Sequence, residues 1–349
     1  MNEHAAPIGV ALIGTGYWGP ALARNFAATK RVELLHLVDR DDSKAIAVRN
    51  RIAPEAAAHD DLTRALTDPA VEAVAIATPA ASHFELAGAS LRAGKHTLVE
   101  KPLAMTEREC EVLENLAAER GLVLMVGHVF LFNAAVEFVK EAIGNGELGD
   151  IQYVHSRRVN LGRVQADINA LWSFAPHDIS ILNYWMGAEP ISVAARGFSY
   201  IQKHVEDVIF CTLEYPGGRG AHMHISWLDP RKVREMTVVG SRKMVVFDDV
   251  SPQAKIKVYD SSVTTSPAPP ESFADWQVDI RHGDVSIPRL PWAEPLRTEV
   301  EHFVACIRDG VPCRTPGSQG REVTRAIAAA QESLKTGGGA IALAPRRGT

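Results

Sequence analysis

Ile8-Gly9-Val10-Ala11-Leu12-Ile13-Gly14-Thr15-Gly16-Tyr17-Trp18-Gly19 is the stretch that decides the fold. Its first half is a short apolar, partly β-branched run, which suits a strand buried on both faces. Its second half is G-x-G-x-x-G, and Pro20 to Ala28 then reads as a helix. In that strand–turn–helix setting the glycines allow a tight turn and close backbone approach, and the helix N-terminus faces a pyrophosphate. A second apolar run, Val32 to Val38, ends in Asp39, twenty residues beyond Gly19. A carboxylate there hydrogen-bonds the adenine ribose hydroxyls and repels a 2′-phosphate, which favours NAD over NADP. Arg40, directly after it, softens that preference if it stacks or reaches a phosphate. Gly14, Thr15, Gly16, Tyr17, Trp18, Gly19, Asp39 and Arg40 are the first candidate cofactor contacts.

The pattern repeats downstream. Val71 to Ala77 reads as a strand ending in Thr78-Pro79, with His83 opening a helix that runs to about Arg92. His96 to Val99 is a strand closed by Glu100-Lys101-Pro102; a helix from Thr106 to Glu119 and a strand from Leu122 to Val126, ending in Gly127-His128, follow. Alternating strands and helices argue for a parallel, doubly wound α/β sheet. Proline cannot continue a central ladder and holds its predecessor extended, so Lys101 is expected at the carboxyl end of a strand. Ligands bind at that edge of open α/β sheets. Thr78, Pro79, His83, Glu100, Lys101 and His128 join the candidates because they cluster at these strand ends.

Beyond Asp150 the pattern changes. Ile151 to Val159, Ile191 to Phe198, Val208 to Tyr215, Arg219 to Trp227, Glu235 to Val239 and Met244 to Phe247 read as strands with short connections. That predicts a large, mostly antiparallel sheet in an α+β domain. Helices are expected at Ala134 to Ile143, Pro176 to Met186, Leu296 to Asp309 and Gln319 to Lys335, and Asp260 to Pro295 as an extended surface segment. The chain divides into a dinucleotide-binding domain, 1–128, and a substrate-binding and oligomerisation domain, 129–349. Between them in interest stands Asn160 to Asp178, rich in polar groups. Proline suits a first helical turn, so Pro176 is expected to place His177 and Asp178 at a helix N-terminus, where the dipole keeps an imidazole neutral. His222 and His224 share one strand face, but no carboxylate or thiolate at ligand spacing accompanies them, so no metal is expected.

At 349 residues the chain is long enough for two domains. Its 46% hydrophobic and 23% charged residues are ordinary globular values, and net charge is −5. No basic stretch is interleaved with aromatics, so a nucleic-acid partner is not expected. No run reaches a membrane span, and the N-terminus lacks the regions of a signal peptide, so a cytoplasmic protein with no membrane partner is expected. Cys110, Cys211, Cys306 and Cys313 show no C-x-x-C pair and fit reduced thiols. A two-layer sheet with one bare face commonly buries it in an oligomer, so a homodimer or homotetramer through the C-terminal sheet is expected.

Taken together, the glycine loop, Thr78-Pro79 with His83, Glu100-Lys101-Pro102, the His177 segment, Ser226-Trp227 and Glu294-Pro295-Leu296 resemble the Gfo/Idh/MocA family of NAD(P)-dependent oxidoreductases. The resemblance spans nearly the whole chain. It implies a Rossmann domain, a lysine (here Lys101) beside the nicotinamide and the substrate hydroxyl, a following proline that is often cis, and a histidine (here His177) opening the substrate-domain helix. Many members carry an aspartate four residues before that histidine; Ser173 stands there instead, which leaves proton handling to Lys101 and His177. The Trp-x-x-Ala-Pro-His-Asp form of the segment looks most like members acting on nucleotide-linked or uronic sugars.

Oxidising a secondary alcohol sends a hydride to the nicotinamide and a proton to a base within hydrogen-bond reach, with a pKa near the working pH. Histidine titrates near ~6.5 and lysine near ~10.4, a value that burial and the positive nicotinamide ring would lower. The expected division of labour is Lys101 stabilising alkoxide charge and His177 taking the proton. Glu100 would hold Lys101 or the nicotinamide side, and His128, Asn160, Arg163, Asn169, Trp172 and Asp178 would contact the sugar. Two rivals stay open: an enzyme that keeps NAD bound and uses transient oxidation for epimerisation, elimination or glycoside cleavage, and a non-catalytic NAD(H) sensor.

Overall fold

The computed structural model describes residues 6–162, 164–165, 168–265 and 278–344. The first half alternates β1 (Ile8–Ile13), α1 (Gly19–Ala28), β2 (Val32–Val38), α2 (Asp42–Ile52), β3 (Ala57–His59), α3 (Leu62–Thr67), β4 (Ala73–Ile76), α4 (His83–Arg92), β5 (His96–Glu100), α5 (Glu107–Glu119) and β6 (Leu124–Gly127). The six strands lie in the order β3-β2-β1-β4-β5-β6, every neighbouring pair parallel. α2, β3 and α3 go unassigned in the sequence pattern; β3 is only three residues long. β1 shows how the chain specifies two-sided burial. Ile8, Val10 and Leu12 pack into a layer with Leu22 and Phe26 of α1, while Ala11 and Ile13 pack into the opposite layer with Leu91 of α4 and Leu113 of α5. Each buried aliphatic side chain of this kind contributes on the order of 1.5–3 kcal/mol. α5 starts with a capping box, in which the Glu109 N–H donates to the Thr106 hydroxyl and the Glu109 carboxylate accepts from the Thr106 N–H.

The second half comprises α6 (Ala134–Gly144), β7 (Ile151–Leu161), α7 (Ala170–Met186), β8 (Ser192–Phe198), β9 (Val208–Tyr215), β10 (Arg219–Ser226), β11 (Leu228–Gly240), β12 (Met244–Asp248), β13 (Ile256–Thr265), β14 (Val278–Ser286), α8 (Pro295–Arg308), α9 (Gly317–Lys335) and β15 (Ile341–Ala342). Its described strands form one sheet, β14-β13-β12-β11-β7-β10-β9-β8-β15, in which β7–β10 is parallel and the other neighbours are antiparallel. Ala221, Met223 and Ile225 of β10 are buried under α7, whereas His222 is exposed, as alternation predicts. Among the described residues of the Asp260 to Pro295 segment, β13 and β14 pair antiparallel at the sheet edge, and β14 is exposed along its whole length, which is why no burial pattern marks it.

Contacts divide the chain into one unit of residues 1–133 with 293–325 and another of 134–292 with 326–349. The linear split at 128/129 lies close to the first boundary and lacks the return of 293–325. α8 makes that return because Leu296, Val300, Phe303 and Val304 lie in the same core layer as Leu22 and Phe26. Arg24–Glu294, Arg31–Asp309 and Arg308–Glu72 ion pairs fasten its two ends. No helix among the described residues is long and apolar enough to cross a membrane.

Candidate active site

β1 and β4 are neighbours although β2 and β3 intervene in sequence, so the loop after β1 opens at the point where strand order reverses, the usual ligand crevice of such sheets. Its three glycines have different reasons. Gly14 has φ +93°, and a Cβ there would meet Ala77 backbone at 2.7 Å; one on Gly19 would meet the Gly14 oxygen at 2.2 Å. Gly16 faces open space, with nothing within 4 Å of an added Cβ. Two glycines are thus required by the protein's own packing, and the third leaves room for a ligand to approach. Trp18 caps α1 without a side-chain hydrogen bond, so the leading N–H groups of that helix suit an anion. Asp39 anchors the loop: its Oδ2 accepts from the Thr15 N–H at 2.8 Å and hydroxyl at 3.0 Å, and its Oδ1 accepts from the Asp41 N–H at 3.1 Å. Tyr17 and Arg40 project into solvent. This cradle fits a dinucleotide.

At the neighbouring strand ends, the Ser82 hydroxyl donates to Thr78 Oγ1 at 2.8 Å, and Pro79 leads into the short turn Ala80–Ser82. The Lys101–Pro102 peptide is cis, as the resemblance implies. His83 occupies a position different from the cofactor contact expected of it. It is 1% exposed, with Nδ1 2.7 Å from the Pro102 carbonyl oxygen and Nε2 2.9 Å from that of Thr78. A neutral ring donates to only one of them; burial pushes the pKa down in spite of both carbonyls. His83 staples the end of β4 to the Lys101–Pro102 turn.

Glu100 pairs with Gly127 across β5 and β6, and its carboxyl lies against that glycine. Burial pushes Glu100 up to about 7, with the Lys101 charge opposing. Two neighbours went unread in the sequence. Gly127 provides the space for the Glu100 carboxyl. Glu299 of α8 is completely buried, neither carboxylate oxygen has a partner among the described residues, and burial, reinforced by Glu100, holds its pKa well above the usual range. The signal for Glu299 was available, because it falls on the buried face of α8 with Leu296, Val300 and Phe303. His128 is also fully buried with both ring nitrogens unpartnered among the described residues, and burial, then the Lys101 charge, lowers its pKa to about 3. It is a neutral ring.

In the other unit, α7 begins at Ala170 rather than at Pro176. Asn169 is the cap, its Oδ1 accepting from the Trp172 N–H at 3.3 Å, and Pro176 sits inside the helix. A strong N-cap two turns upstream therefore prevails over proline's preference for a first turn. His177 lies well inside α7, so the helix-dipole reason for its neutrality fails, since that effect fades beyond the first turn. Asp178 is 1% exposed and engaged with β7: its Oδ1 accepts from Arg158 Nε at 2.7 Å and its Oδ2 from the Ser156 hydroxyl at 2.9 Å. Asn169 donates to Glu206 at 2.7 Å and Gln331 at 2.9 Å, and Trp172 Nε1 donates to Gln331 at 3.2 Å. Asp178, Asn169 and the Trp172 indole N–H thus already bond within the protein. Ser173 accepts from Gln165 Nε2 at 3.0 Å. Asn160 remains suited to a ligand, since its Oδ1 is buried without a partner among the described residues. Arg163 lies outside the described residues. His224 stacks on Phe210 with ring centroids 4.6 Å apart, an ordinary sheet-surface contact.

Comparison with known proteins agrees with this geometry. A UDP-N-acetylglucosamine 3-dehydrogenase from Acidithiobacillus ferrooxidans is 26% identical over 316 residues, 90% of this chain and 93% of that protein. Its crystal structure superposes with a TM-score of 0.80 over 95% of this chain and 99% of that one, at 23% identity. A 2,7-anhydro-N-acetylneuraminate hydratase from Mediterraneibacter gnavus is 26% identical over 61% of this chain and 60% of its own length. GenD2 from gentamicin A biosynthesis, solved in complex with NAD, shares the fold with a TM-score of 0.82 over 99% of this chain and 98% of that one, at 24% identity. The model of the oxidoreductase family's NAD-binding Rossmann fold matches residues 8–128 and that of its C-terminal alpha/beta domain residues 140–343, so the chain belongs to the Gfo/Idh/MocA oxidoreductase family.

Proposed function

We propose that the protein is an NAD-dependent dehydrogenase acting on a secondary hydroxyl of a sugar, polyol or nucleotide-linked sugar. The observation that carries this reading is Lys101 at the carboxyl end of β5, on a turn stapled by His83, at the same sheet edge as the glycine loop and Asp39. Gly14 to Gly19 and Asp39 would hold the dinucleotide, which when bound supplies the hydride acceptor. Asp39 supports NAD over NADP, because a second negative charge beside its carboxylate is disfavoured. Lys101 stabilises charge as the substrate oxygen loses its proton, and His177 takes that proton. Neutral His128 and the carboxyl of Glu100 lie beside the Lys101 charge, with the buried Glu299 carboxyl next to Glu100. Asn160 offers a hydrogen bond to a hydroxyl-rich ligand. We assign the exposed sheet face bearing Tyr153, Phe210 and His224 to contact with a second copy of the chain in a cytoplasmic homo-oligomer.

The hydratase relative favours a second reading, because hydration involves no net redox change. In it the cofactor stays bound and the substrate is oxidised only transiently. The test is NADH formation from a panel of sugars, sugar acids and nucleotide sugars, with wild type and Lys101→Ala. Release of NADH that falls by about 10²–10⁴-fold in the variant supports the first reading. Conversion of a sugar without NADH release selects the second. NAD binding with no conversion selects a sensor, and turnover unaffected by Lys101→Ala removes the mechanism.

A further inference from the structure

α8 and the loop that follows it bring together two thiols and an imidazole that the redox site does not use. His302 and Cys306 stand one turn apart on α8, with Nε2 and Sγ 3.3 Å apart, and Cys313 follows in the loop. The Nε2 of His302 and the two sulfurs all lie within 4.8 Å of one another. The loop is held from several sides. The Arg314 N–H donates to His302 Nε2 at 2.9 Å, the Arg314 guanidinium donates to the Leu131 carbonyl at 2.9 Å, and the Thr315 carbonyl accepts from the Val126 N–H at 2.8 Å. Cys313 is thereby fixed against Cys306. Because the Nε2 lone pair already takes a backbone N–H, the trio suits sulfur chemistry better than a thiophilic cation.

We propose that Cys306 and Cys313 are an oxidant-reactive thiol pair, in which Cys306 attacks a hydroperoxide and Cys313 resolves the product as a disulfide. The Cys306 thiolate attacks one peroxide oxygen, the O–O bond breaks, and the departing oxygen leaves protonated as water or an alcohol. Cys306 is then a sulfenic acid. Cys313 sulfur attacks it, giving up its proton, and the sulfenic oxygen leaves as water. The sulfur pair loses two electrons and the peroxide gains them. Cys306 is the nucleophile because Cys313 donates to its sulfur, and that contact holds its thiol down to about 5 against burial. The same contact pushes Cys313 up. Cys110 and Cys211 provide internal controls, since burial raises their thiols to about 11 and about 12.

The full-length protein is treated with stoichiometric hydrogen peroxide, alkylated and digested with trypsin without reductant. Cleavage after Arg297, Arg308 and Arg314 places the two thiols on separate peptides, Thr298–Arg308 and Asp309–Arg314. The expected result is those two peptides joined, at a mass two hydrogens below their sum, and released by dithiothreitol. In Cys313→Ser the link disappears and dimedone labels Cys306 instead. Before oxidation, iodoacetamide at mildly acidic pH should alkylate Cys306 at least about 10-fold faster than Cys110. Peptides that stay separate and reduced, a link through Cys110 or Cys211, or dimedone on Cys313 in Cys306→Ser at the wild-type rate would overturn the proposal. So would stoichiometric zinc in the purified protein that blocks both thiols until a chelator removes it.

Discussion

Gly127 lies directly across the sheet from Glu100, and a Cβ on it would stand 3.0 Å from the Glu100 Cδ and Oε2 and 3.1 Å from Oε1. All three carboxyl atoms thus rest on the face of a glycine. The carboxyl is folded back over the neighbouring strand beside the Lys101 charge, which is where a group that sets the surroundings of Lys101 has to be.

Gly127→Ala tests that packing. The β6 backbone cannot yield easily, so the methyl displaces the Glu100 carboxyl that lies against it. Overpacking of this kind costs about 1–3 kcal/mol. The expected outcome is a Tm drop with kcat lowered by roughly 10-fold and NAD affinity retained, because the glycine loop is untouched. Loss of NAD binding in step with kcat would place Glu100 with the cofactor cradle instead.

Asp39→Ala removes the acceptor of both Thr15 donors as well as the charge that faces a 2′-phosphate. NAD affinity should fall by at least about 10-fold, the worth of a charge-assisted hydrogen bond. NADP affinity should fall less or rise. Titration of both dinucleotides by quenching of tryptophan fluorescence measures the ratio; an equal loss for the two would show that Asp39 acts only as the loop's anchor.

Asp178→Ala separates a packing role from a substrate role. Arg158 and Asp178 are 5% and 1% exposed, so the substitution leaves a guanidinium buried without its carboxylate. Breaking such a pair typically costs about 3–5 kcal/mol. Chemical denaturation should show that loss, while KM for the sugar in Asp178→Asn stays near wild type. A raised KM with unchanged stability would return Asp178 to the substrate site.

What the chain disclosed about itself follows from how local each signal is. Gly14 to Gly19 and Lys101–Pro102 are short contiguous patterns read directly from the chain, and Asp39 closes β2. What each packs against, such as the Ala77 backbone at Gly14, nevertheless lies far off in sequence. His83 and Asp178 carry the same residue types a ligand site would use. Only the three-dimensional partners, the Thr78 and Pro102 carbonyls and Arg158, reveal that their polar atoms are already committed. Pro176 and Asn169 are both valid start signals for α7, and the cap prevails. Glu299 joins Glu100 across two hundred residues of chain, a pairing that periodicity can hint at by placing a carboxylate on a buried face and cannot complete.

His128 ties the site to acid stability. Its folded pKa is lowered to about 3 by burial, with the Lys101 charge adding to the effect, whereas an unfolded histidine titrates near ~6.5. The native state therefore binds no proton at this ring between those values while the unfolded state does, so unfolding takes up one proton. Stability contributed by the neutral ring is complete above about pH 6.5 and is lost as pH falls towards about 3, at about 1.4 kcal/mol per pH unit. His128→Gln removes the titration. Unfolding free energies measured by urea from about pH 7.5 to about pH 4.5 should show the wild-type advantage constant at the upper end and shrinking by close to one proton's slope below about pH 6.5. Parallel curves for the two proteins would mean that the ring gains its proton in the folded state as readily as in the unfolded one. A charged His128 beside Lys101 would then have to replace the neutral one in any account of how the lysine acts.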